Sequence, residues 1–377
     1  MNLMNPNQIY LELPPPPPIP PSAYSTAAAQ QRAQMNQQCL GAFQSWLQAE
    51  FNRTAQVSPH VAALPSIWEV VNGTAVTFDQ LRLVLLPTVA IALDELRVPQ
   101  EWTDIPSWIA DYYLAMQVDP EQGWIQMHGY TSHQQLKAKG RYEANDRTYT
   151  LAVDDLWQDI NGLWIAQEFQ TQATLRATVA PVPQLSLVQA NQLLERLGNP
   201  TLTFPRRAVP FPLWAALLAH GSWRQALYER RQGRSDRGSV MQWIQTGLSA
   251  FAQQLDWRQR EFILTVPGVR SNSIKAGIAR SLVIADKPYE LRVFSIDRAD
   301  DSTWRVELRS ATAGGMVPIG FTLRLLTEDL QGMENNEDIA TTEVESLYID
   351  VVLEPGEGLV WEVEPTPEGF DYEILRF

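Results

Sequence analysis

A run of prolines near the N-terminus constrains this chain more than any other feature of its sequence. Residues 14–18 are all proline, and positions 20 and 21 are proline as well. Each pyrrolidine ring fixes φ near about −65° and removes a backbone N–H donor, so the run must be stiff and extended. We expect residues 1–24 to act as a spacer. The alternative is a polyproline ligand for an aromatic groove on another protein.

The residues that follow the proline run have a helical pattern. Between residues 25 and 51, apolar side chains recur at steps of three and four, which is typical of an amphipathic helix. Such a stripe either packs into the core or contacts a partner. Phe43 and Trp46 are the candidate partner contacts, and we expect their joint replacement by aspartate to abolish partner capture while the C-terminal β domain stays folded. The single cysteine, Cys39, lies on the same stripe and is expected to be a buried thiol.

The region after this helix has the pattern of an α+β domain rich in aromatic residues. Apolar and polar residues alternate, and two such runs, residues 112–118 and 124–130, flank a short turn and predict a β-hairpin. A short helix is expected next, opened by Thr131 or Ser132 and closed by Gly140.

The rest of the chain predicts helices followed by strands. Residues 186–255 contain three helical patterns, including residues 212–231 and 239–255, and short strand-like runs beyond residue 257 are typical of an antiparallel sandwich or small barrel. The predicted fold class is a multidomain α+β protein. Its predicted parts are a proline-rich spacer (1–24), the N-terminal helix with the aromatic-rich α+β domain (25–180), a central helical segment (181–256) and an acidic, antiparallel β-sandwich-like domain (257–377).

Charge is distributed unevenly along the chain. With 29 Lys and Arg against 43 Asp and Glu, the net charge of −14 argues against a broad nucleic-acid-binding surface. Residues 206–237 contain seven arginines and two acids, whereas residues 328–373 contain fifteen acids and no Lys or Arg. One interpretation is that the two blocks face each other or solvent. The other is that they bind partners: the arginines would bind an acidic protein surface or phosphate, and the acids would bind a basic protein. Arg230, Arg231 and Arg234 are the candidate contacts among the arginines.

No recognisable catalytic or cofactor-binding motif is present in the sequence. It lacks HExxH, GxSxG, a P-loop, GxGxxG and an EF-hand loop, and its four histidines do not have metal-ligand spacing. We therefore expect no catalytic residue, no cofactor and no metal. The alternative is an enzyme or small-ligand-binding protein whose site in the aromatic domain contains Asp111, His133 and Arg147. Carbohydrate binding by the C-terminal sandwich would require exposed Trp304 or Trp361.

Neither a membrane span nor a secretory signal is recognisable. No apolar run reaches about 18 residues, and the N-terminus lacks the basic start and apolar core of a signal peptide. These features predict a cytoplasmic protein without a membrane span.

A spaced series of aromatic and polar residues runs through the predicted α+β domain. It comprises residues 98–113 (VPQEWTDIPSWIADYY), residues 128–133 (HGYTSH), Leu136-Lys137, residues 146–149 (DRTY) and Leu163-Trp164. In order and spacing this series resembles the DUF1822 family of cyanobacterial proteins, and the C-terminal part of the chain is similar to the same family more loosely. His128 stands where the family's element has tryptophan.

The resemblance has implications for the source and for the partner, although the family's function is unknown and offers no catalytic residue to carry over. It implies a cyanobacterial source and a cytoplasmic setting. Because family members are encoded near extracytoplasmic-function sigma factors, it also implies an anti-sigma or sigma-associated role. Such a regulator needs no active site, only a surface that covers its partner. The leading hypothesis is a non-enzymatic regulatory or scaffolding protein that binds another protein, with a sigma factor as the specific candidate and no direct contact to nucleic acid.

Overall fold

The structure, a computed structural model, describes residues 9–90, 93–159, 175–234, 238–264, 273–296 and 303–377. The chain divides into two units, Met1–Arg234 and Ser235–Phe377. The division into four parts at residues 24, 180 and 256 stays a prediction beside this one. Arg237 and Leu163-Trp164, which the sequence singled out, lie outside the described residues.

A curled mixed sheet of six strands organises the first unit, and a three-stranded sheet accompanies it. The six strands follow the order β1-β7-β6-β4-β3-β2, and the three follow the order β5-β9-β8. Every pair is antiparallel except β4 and β6, whose connection contains β5. The strands are β1 (Ile9–Glu12), β2 (Gln56–Val57), β3 (Thr74–Phe78), β4 (Leu81–Thr88), β5 (Glu95–Pro99), β6 (Tyr112–Asp119), β7 (Trp124–Ser132), β8 (Arg141–Glu143) and β9 (Thr148–Ala152).

Seven α-helices are described in the first unit. They are α1 (Ala27–Phe51), α2 (Leu64–Trp68), α3 (Gln100–Asp104), α4 (His133–Lys139), α5 (Leu187–Leu197), α6 (Phe211–Ala219) and α7 (Gly221–Arg231).

Local signals in the sequence explain most of these elements. The predicted hairpin is confirmed as β6 and β7, and the predicted short helix is confirmed as α4. The Ser132 hydroxyl accepts from the Gln135 N–H and caps α4, which ends at Gly140 as expected. Thr26 caps α1 in the same way. The single helix predicted over residues 212–231 is instead two helices, because His220 has extended backbone angles (φ −90°, ψ 108°) and separates α6 from α7.

The proline run lies along the first unit. The strand before it, β1, pairs with β7, and the Leu13 N–H donates to the Gly123 carbonyl at 3.0 Å. The Gln38 amide on α1 then donates to the Pro14 carbonyl at 2.7 Å. Residues 13–20 have no regular hydrogen-bonded structure, as the ring chemistry predicts, but the segment expected to be a spacer starts as a strand and is fastened to α1.

In its described residues, the second unit contains two short helices and two antiparallel sheets. The five-stranded sheet has the order β10-β11-β12-β13-β16 and the four-stranded sheet has the order β15-β14-β17-β18. The predicted class, α+β with antiparallel sheets at the C-terminus, is confirmed. The elements are α8 (Val240–Thr246), α9 (Ala250–Gln254), β10 (Trp257–Leu264), β11 (Ser273–Ile284), β12 (Lys287–Ser295), β13 (Thr303–Ser310), β14 (Thr322–Thr327), β15 (Gly332–Ile339), β16 (Ser346–Val352), β17 (Gly358–Glu364) and β18 (Ile374–Arg376).

Two features of the second unit differ from the sequence-based expectation. The helix predicted over residues 239–255 is split into α8 and α9, because Gly247 has φ +110° and ends α8. Strand β15 was not predicted, since its sequence GMENNEDI lacks the apolar alternation of a half-buried strand. None of the helices in the described part of the chain combines the length and the apolar character that crossing a bilayer requires.

Candidate protein-binding surface

The arginine-rich segment of the first unit separates into buried and exposed side chains. Arg224 and Arg231 are buried, with 2% and 3% of their surfaces exposed, whereas Arg230 and Arg234 are exposed. Adjacent residues of α7 therefore have opposite environments. The charge block in the sequence does not form one uniformly basic face.

Arg231 is a structural residue in the interior. Its Nε donates to the Glu69 carboxylate at 2.8 Å, and its Nη2 donates to the Ser25 hydroxyl at 3.0 Å. Its Nη1 donates to three backbone carbonyls at 3.1 to 3.2 Å, which belong to Leu197, Asn199 and Leu202. The prediction that Arg231 contacts a partner is corrected here, because the side chain is buried and its guanidinium already donates to a carboxylate, a hydroxyl and three carbonyls.

Arg206 is also used internally, although it was not a candidate contact. Its guanidinium donates to both oxygens of the fully buried Glu101 carboxylate, at 3.0 and 2.7 Å. The Trp214 indole N–H donates to the same carboxylate at 2.7 Å. These bonds join α3 to the segment before α6 and to α6 itself. A buried carboxylate with this many partners is electrostatically satisfied.

A groove of about 680 Å³ lies between α5 and the last turn of α7. Val188, at the start of α5, is 66% exposed, and Arg230 contributes the cationic side chain. The two helices approach closely at Gly198, where an added Cβ would lie 2.9 Å from the Cβ of Arg230, so a side chain there would push them apart. We call this surface the α5–α7 groove, and its lining residues are Val188, Asn191, Gln192, Glu195, Gly198, Asn199 and Arg230.

The lining of the α5–α7 groove combines one arginine, the carboxylate of Glu195, three amide side chains and an apolar valine. Within the ranges that the structure describes, neither Arg230 nor Arg234 forms an ion pair, whereas Arg206 and Arg231 do. Asn191, Gln192 and Asn199 supply amide groups that can bind a peptide backbone, and Val188 supplies an apolar contact. Arginine is one of the residues that are enriched in protein interfaces and in their hot spots.

The two candidate residues of α1 lie in the core or at its edge. Phe43 is 0% exposed, and α1 packs its buried side against β4. Trp46 is half-buried and lies between Phe43 and Phe51, with ring centroids 5.7 and 5.6 Å away. The expectation that Phe43 forms a partner contact is corrected, because the sheet already covers it. Phe43 is therefore excluded from the candidate surface.

Asp111 of the hypothetical enzymatic site is fully buried in an ion pair. Its two oxygens accept from Nε and Nη2 of Arg176 at 2.8 and 3.1 Å. The backbone N–H of Arg82 donates to the same carboxylate at 2.8 Å. The carboxylate is thus engaged on both oxygens and holds the end of β6 to neighbouring segments.

His133 and Arg147 are likewise engaged with backbone groups. The Nδ1 of His133 accepts from the Ala177 N–H at 3.0 Å, so its Nε2 carries the proton and donates to the Thr103 carbonyl at 2.9 Å. Arg147 donates to the carbonyls of Arg206 and Val209. Asp111 and His133 are neighbours, since the His133 backbone N–H donates to the Asp111 carbonyl at 3.2 Å. Their side chains are engaged by the consecutive residues Arg176 and Ala177, and Arg147 is engaged elsewhere, by the carbonyls of Arg206 and Val209. All three side chains therefore act as structural anchors.

The tryptophans considered for carbohydrate binding are buried in the second unit. Trp304 and Trp361 are 2% and 1% exposed. Trp304 packs against Phe377, and the Arg280 guanidinium lies 5.3 Å from the centroid of the Trp361 ring. The exposed stacking platform that sugar binding requires is therefore not formed by these two residues.

Many acids of the second unit are paired with the few arginines nearby. Arg305 forms a two-point contact with Asp350, and the Glu373 carboxylate accepts from Arg280 and from the Trp257 indole. Other acids, including Glu343, Glu345 and Glu368, are exposed. Across the described ranges, no group of three or more His, Cys, Asp or Glu side chains is arranged to hold a metal ion.

Sequence reasoning missed the contribution of Val188 to the candidate surface. The buried residues of α5 are Ala190, Leu193, Leu194 and Leu197, which follow the helical three- and four-residue spacing. Val188 lies outside that stripe, and this departure from the pattern was the available signal.

The DUF1822 family, described as a protein of unknown function, matches residues 22–376. No curated protein and no solved structure matches the chain.

Proposed function

The chain belongs to the DUF1822 family, and on this premise we propose that it is a non-enzymatic regulatory or scaffolding protein that binds an acidic segment of another protein. The observation that carries the proposal is the exposed Arg230, which forms no ion pair within the described residues and lines the α5–α7 groove together with the exposed Val188. A carboxylate of the partner would complete the charge of Arg230, and an apolar partner residue would cover Val188.

Burial within the first unit supports this choice of surface. The other charged anchors of the arginine segment, Arg206 and Arg231, are already paired with Glu101 and Glu69. Within the described residues, Arg207, Arg230 and Arg234 are the exposed arginines of the segment, and none of the three forms an ion pair there. The contact would therefore be partly electrostatic, and it would weaken at high salt.

An extracytoplasmic-function sigma factor is the specific partner that we propose to test first, and the cytoplasm is the setting. Both follow from the resemblance of the residue 98–149 series to cyanobacterial proteins. In this proposal the protein would act as an anti-sigma or sigma-associated factor by covering a surface of the sigma factor, without contacting nucleic acid itself.

Affinity capture tests the proposal with a matched pair of variants. The tagged full-length protein is incubated with a cyanobacterial lysate, and captured proteins are identified by mass spectrometry at low and high salt. We expect a stoichiometric partner that Val188→Asp with Arg230→Glu loses. The control, Arg258→Glu, makes the same charge reversal as Arg230→Glu at an exposed arginine of the second unit and should retain the partner.

Two results would contradict the proposal. One is equal capture by wild type and the Val188→Asp, Arg230→Glu variant when both are folded by circular dichroism. The other is the absence of any stoichiometric partner. Purified sigma factor would then be added directly, and failure to bind would exclude that specific partner.

A further inference from the structure

A second cavity of the first unit, of about 360 Å³, shares no lining residue with the α5–α7 groove. It lies between α3, α4, the first turn of α6 and the extended residues 178–183. Its volume is near the lower end of the range of roughly 300–1,000 Å³ that small-molecule sites occupy. The apolar wall includes Val182, Pro183, Phe211, Pro212 and Ala215.

The opposite end of the cavity is polar and contains Lys137, Asp104 and Gln100. The Lys137 ammonium donates to Asp104 Oδ1 at 2.7 Å and to the Tyr149 hydroxyl at 2.5 Å. The Tyr149 hydroxyl and the Gln100 amide both donate to Asp104 Oδ2, at 3.1 and 2.9 Å. Burial alone would lower the pKa of Lys137, but its hydrogen bonds to Asp104 and Tyr149 raise it, so the ammonium is charged at neutral pH.

The polar end of the cavity has N–H donors that are not used by other residues within the described ranges. The Lys137 ammonium has three N–H donors, of which two are used, and the Gln100 amide has two, of which one is used within the described residues. Asp104 already accepts three hydrogen bonds. The cavity therefore offers two donors to an acceptor, and the negative charge of Asp104 beside Lys137 favours a monoanion over a dianion.

The wall formed by residues 178–183 is fixed at both ends. Before it, Arg176 is paired with Asp111 and the Ala177 N–H is bound by His133. After it, Leu185 is buried ahead of α5. Because the wall is held in place without a ligand, binding does not need to order it, and the cost in conformational entropy is small.

We infer that this cavity binds a small amphipathic carboxylate, whose apolar body lies against Phe211 and the prolines and whose carboxylate accepts from Lys137 and Gln100. The Asp104 carboxylate at the same end already accepts three hydrogen bonds, so the groups left there are donors, which favour an acceptor over a cation. This inference is independent of the proposed protein-binding function, because the two surfaces are lined by different residues.

Isothermal titration calorimetry of the full-length protein with octanoate tests the inference. We expect saturable binding at one site, and about tenfold weaker binding of 1-octanol, which has the same apolar body without the carboxylate. Lys137→Met keeps the length of the side chain but removes the ammonium, and it should weaken octanoate binding about tenfold. The matched control is Lys139→Met, an exposed lysine on the same helix, which should bind as wild type.

A second variant guards against a folding defect. If Lys137→Met is unfolded by circular dichroism, Gln100→Leu removes the other donor while leaving the ion pair of Lys137 with Asp104 intact, and it should also weaken octanoate binding. Failure of octanoate to saturate the wild-type protein overturns the inference. Equal octanoate affinity of wild type and a folded Lys137→Met or Gln100→Leu variant also overturns it.

Discussion

Helix α1 and the α5–α7 region both have sequences that favour partner binding, yet the fold uses them differently. In α1 the aromatic stripe faces β4, and Phe43 has no exposed surface. In α7 the arginines divide, so that Arg231 points inward to Glu69 and Arg230 outward to the groove. An apolar stripe on a helix becomes part of the core when a sheet packs against it, and it is then not exposed to a partner. A segment rich in arginine can instead contain both buried, ion-paired residues and exposed residues.

The largest expected effect is the loss of stability in Phe43→Asp. The substitution removes a fully buried ring and introduces a carboxylate into the core, so we expect the free energy of unfolding of the first unit to fall by about 3–5 kcal/mol or more. Urea denaturation followed by circular dichroism measures it. Ala49→Asp places the same charge at an exposed position of α1 and should cost less than about 1 kcal/mol.

This prediction changes the meaning of the double aspartate variant at Phe43 and Trp46. Loss of partner capture by that variant would report unfolding of the first unit rather than a lost contact. If Phe43→Asp were as stable as Ala49→Asp, α1 would not be packed on the sheet, and the helix would again become a candidate surface.

The next largest expected effect is a difference in stability between variants of two neighbouring arginines of α7. Arg231→Met leaves the Glu69 carboxylate buried without its cation and removes donors from three carbonyls, so we expect a cost of about 3–5 kcal/mol. Arg230→Met changes an exposed side chain and should alter stability by no more than about 0.5 kcal/mol. Denaturation midpoints of the two variants measure the difference.

Partner capture should rank the same two variants in the opposite sense. Arg230→Met should weaken salt-sensitive capture while it stays folded. Arg231→Met should affect capture only to the degree that it unfolds the first unit. Equal stabilities of the two variants would refute the assignment of Arg231 as a structural residue.

The ends of helices and the short turns of this fold could be predicted from the sequence, whereas the burial of individual side chains could not. Helix α4 begins after Ser132 and ends before Gly140 because capping depends on adjacent residues. The hairpin of β6 and β7 follows from the alternation of apolar and polar residues on both sides of a short turn. Burial of Arg231 depends on Glu69, which lies 162 positions away along the chain. No local pattern carries that information, because the pairing exists only after α2 and α7 have packed together.

The same limit explains the errors in the candidate site. Phe43 lies on the apolar stripe of its helix and became a core residue because α1 packs on β4, whereas Val188 lies outside the buried stripe of α5 and is exposed. The polar strand β15 was missed because its pairing with β14 overrides the local pattern.

A smaller expected effect is the dependence of stability on the protonation of His133, which binds the Ala177 N–H just before the wall of the cavity of about 360 Å³. Burial lowers the pKa of His133 below its ordinary value of about 6.5, and the nearby cations Lys137 and Arg176 act in the same direction. The unfolded chain therefore binds more protons than the folded chain as the pH falls below about 6.5, so the free energy of unfolding decreases. Full stability is retained above that pH.

Urea denaturation at several values between about pH 7.5 and 5.5 measures this dependence. His133→Gln keeps an acceptor and a donor but does not titrate, and it should show a shallower loss of stability on acidification. His128, whose pKa burial also lowers, contributes to the slope that remains. A variant as sensitive to acid as wild type would contradict the neutral His133 that binds the Ala177 N–H.

The smallest expected effect is the reactivity of Cys39, which tests whether α1 stays covered by the sheet in solution. The thiol is fully buried, and burial raises its pKa to about 12, so the thiolate that attacks an alkylating reagent is scarce at neutral pH. We expect iodoacetamide to leave the native protein unmodified and to alkylate Cys39 fully in urea, as measured by intact mass. Rapid alkylation without denaturant would mean that α1 detaches from β4 on the timescale of the reaction. The aromatic stripe would then be available to a partner for part of the time. The difference between α1 and the α5–α7 groove would be that α1 alternates between a covered and an exposed state, whereas the groove is always exposed.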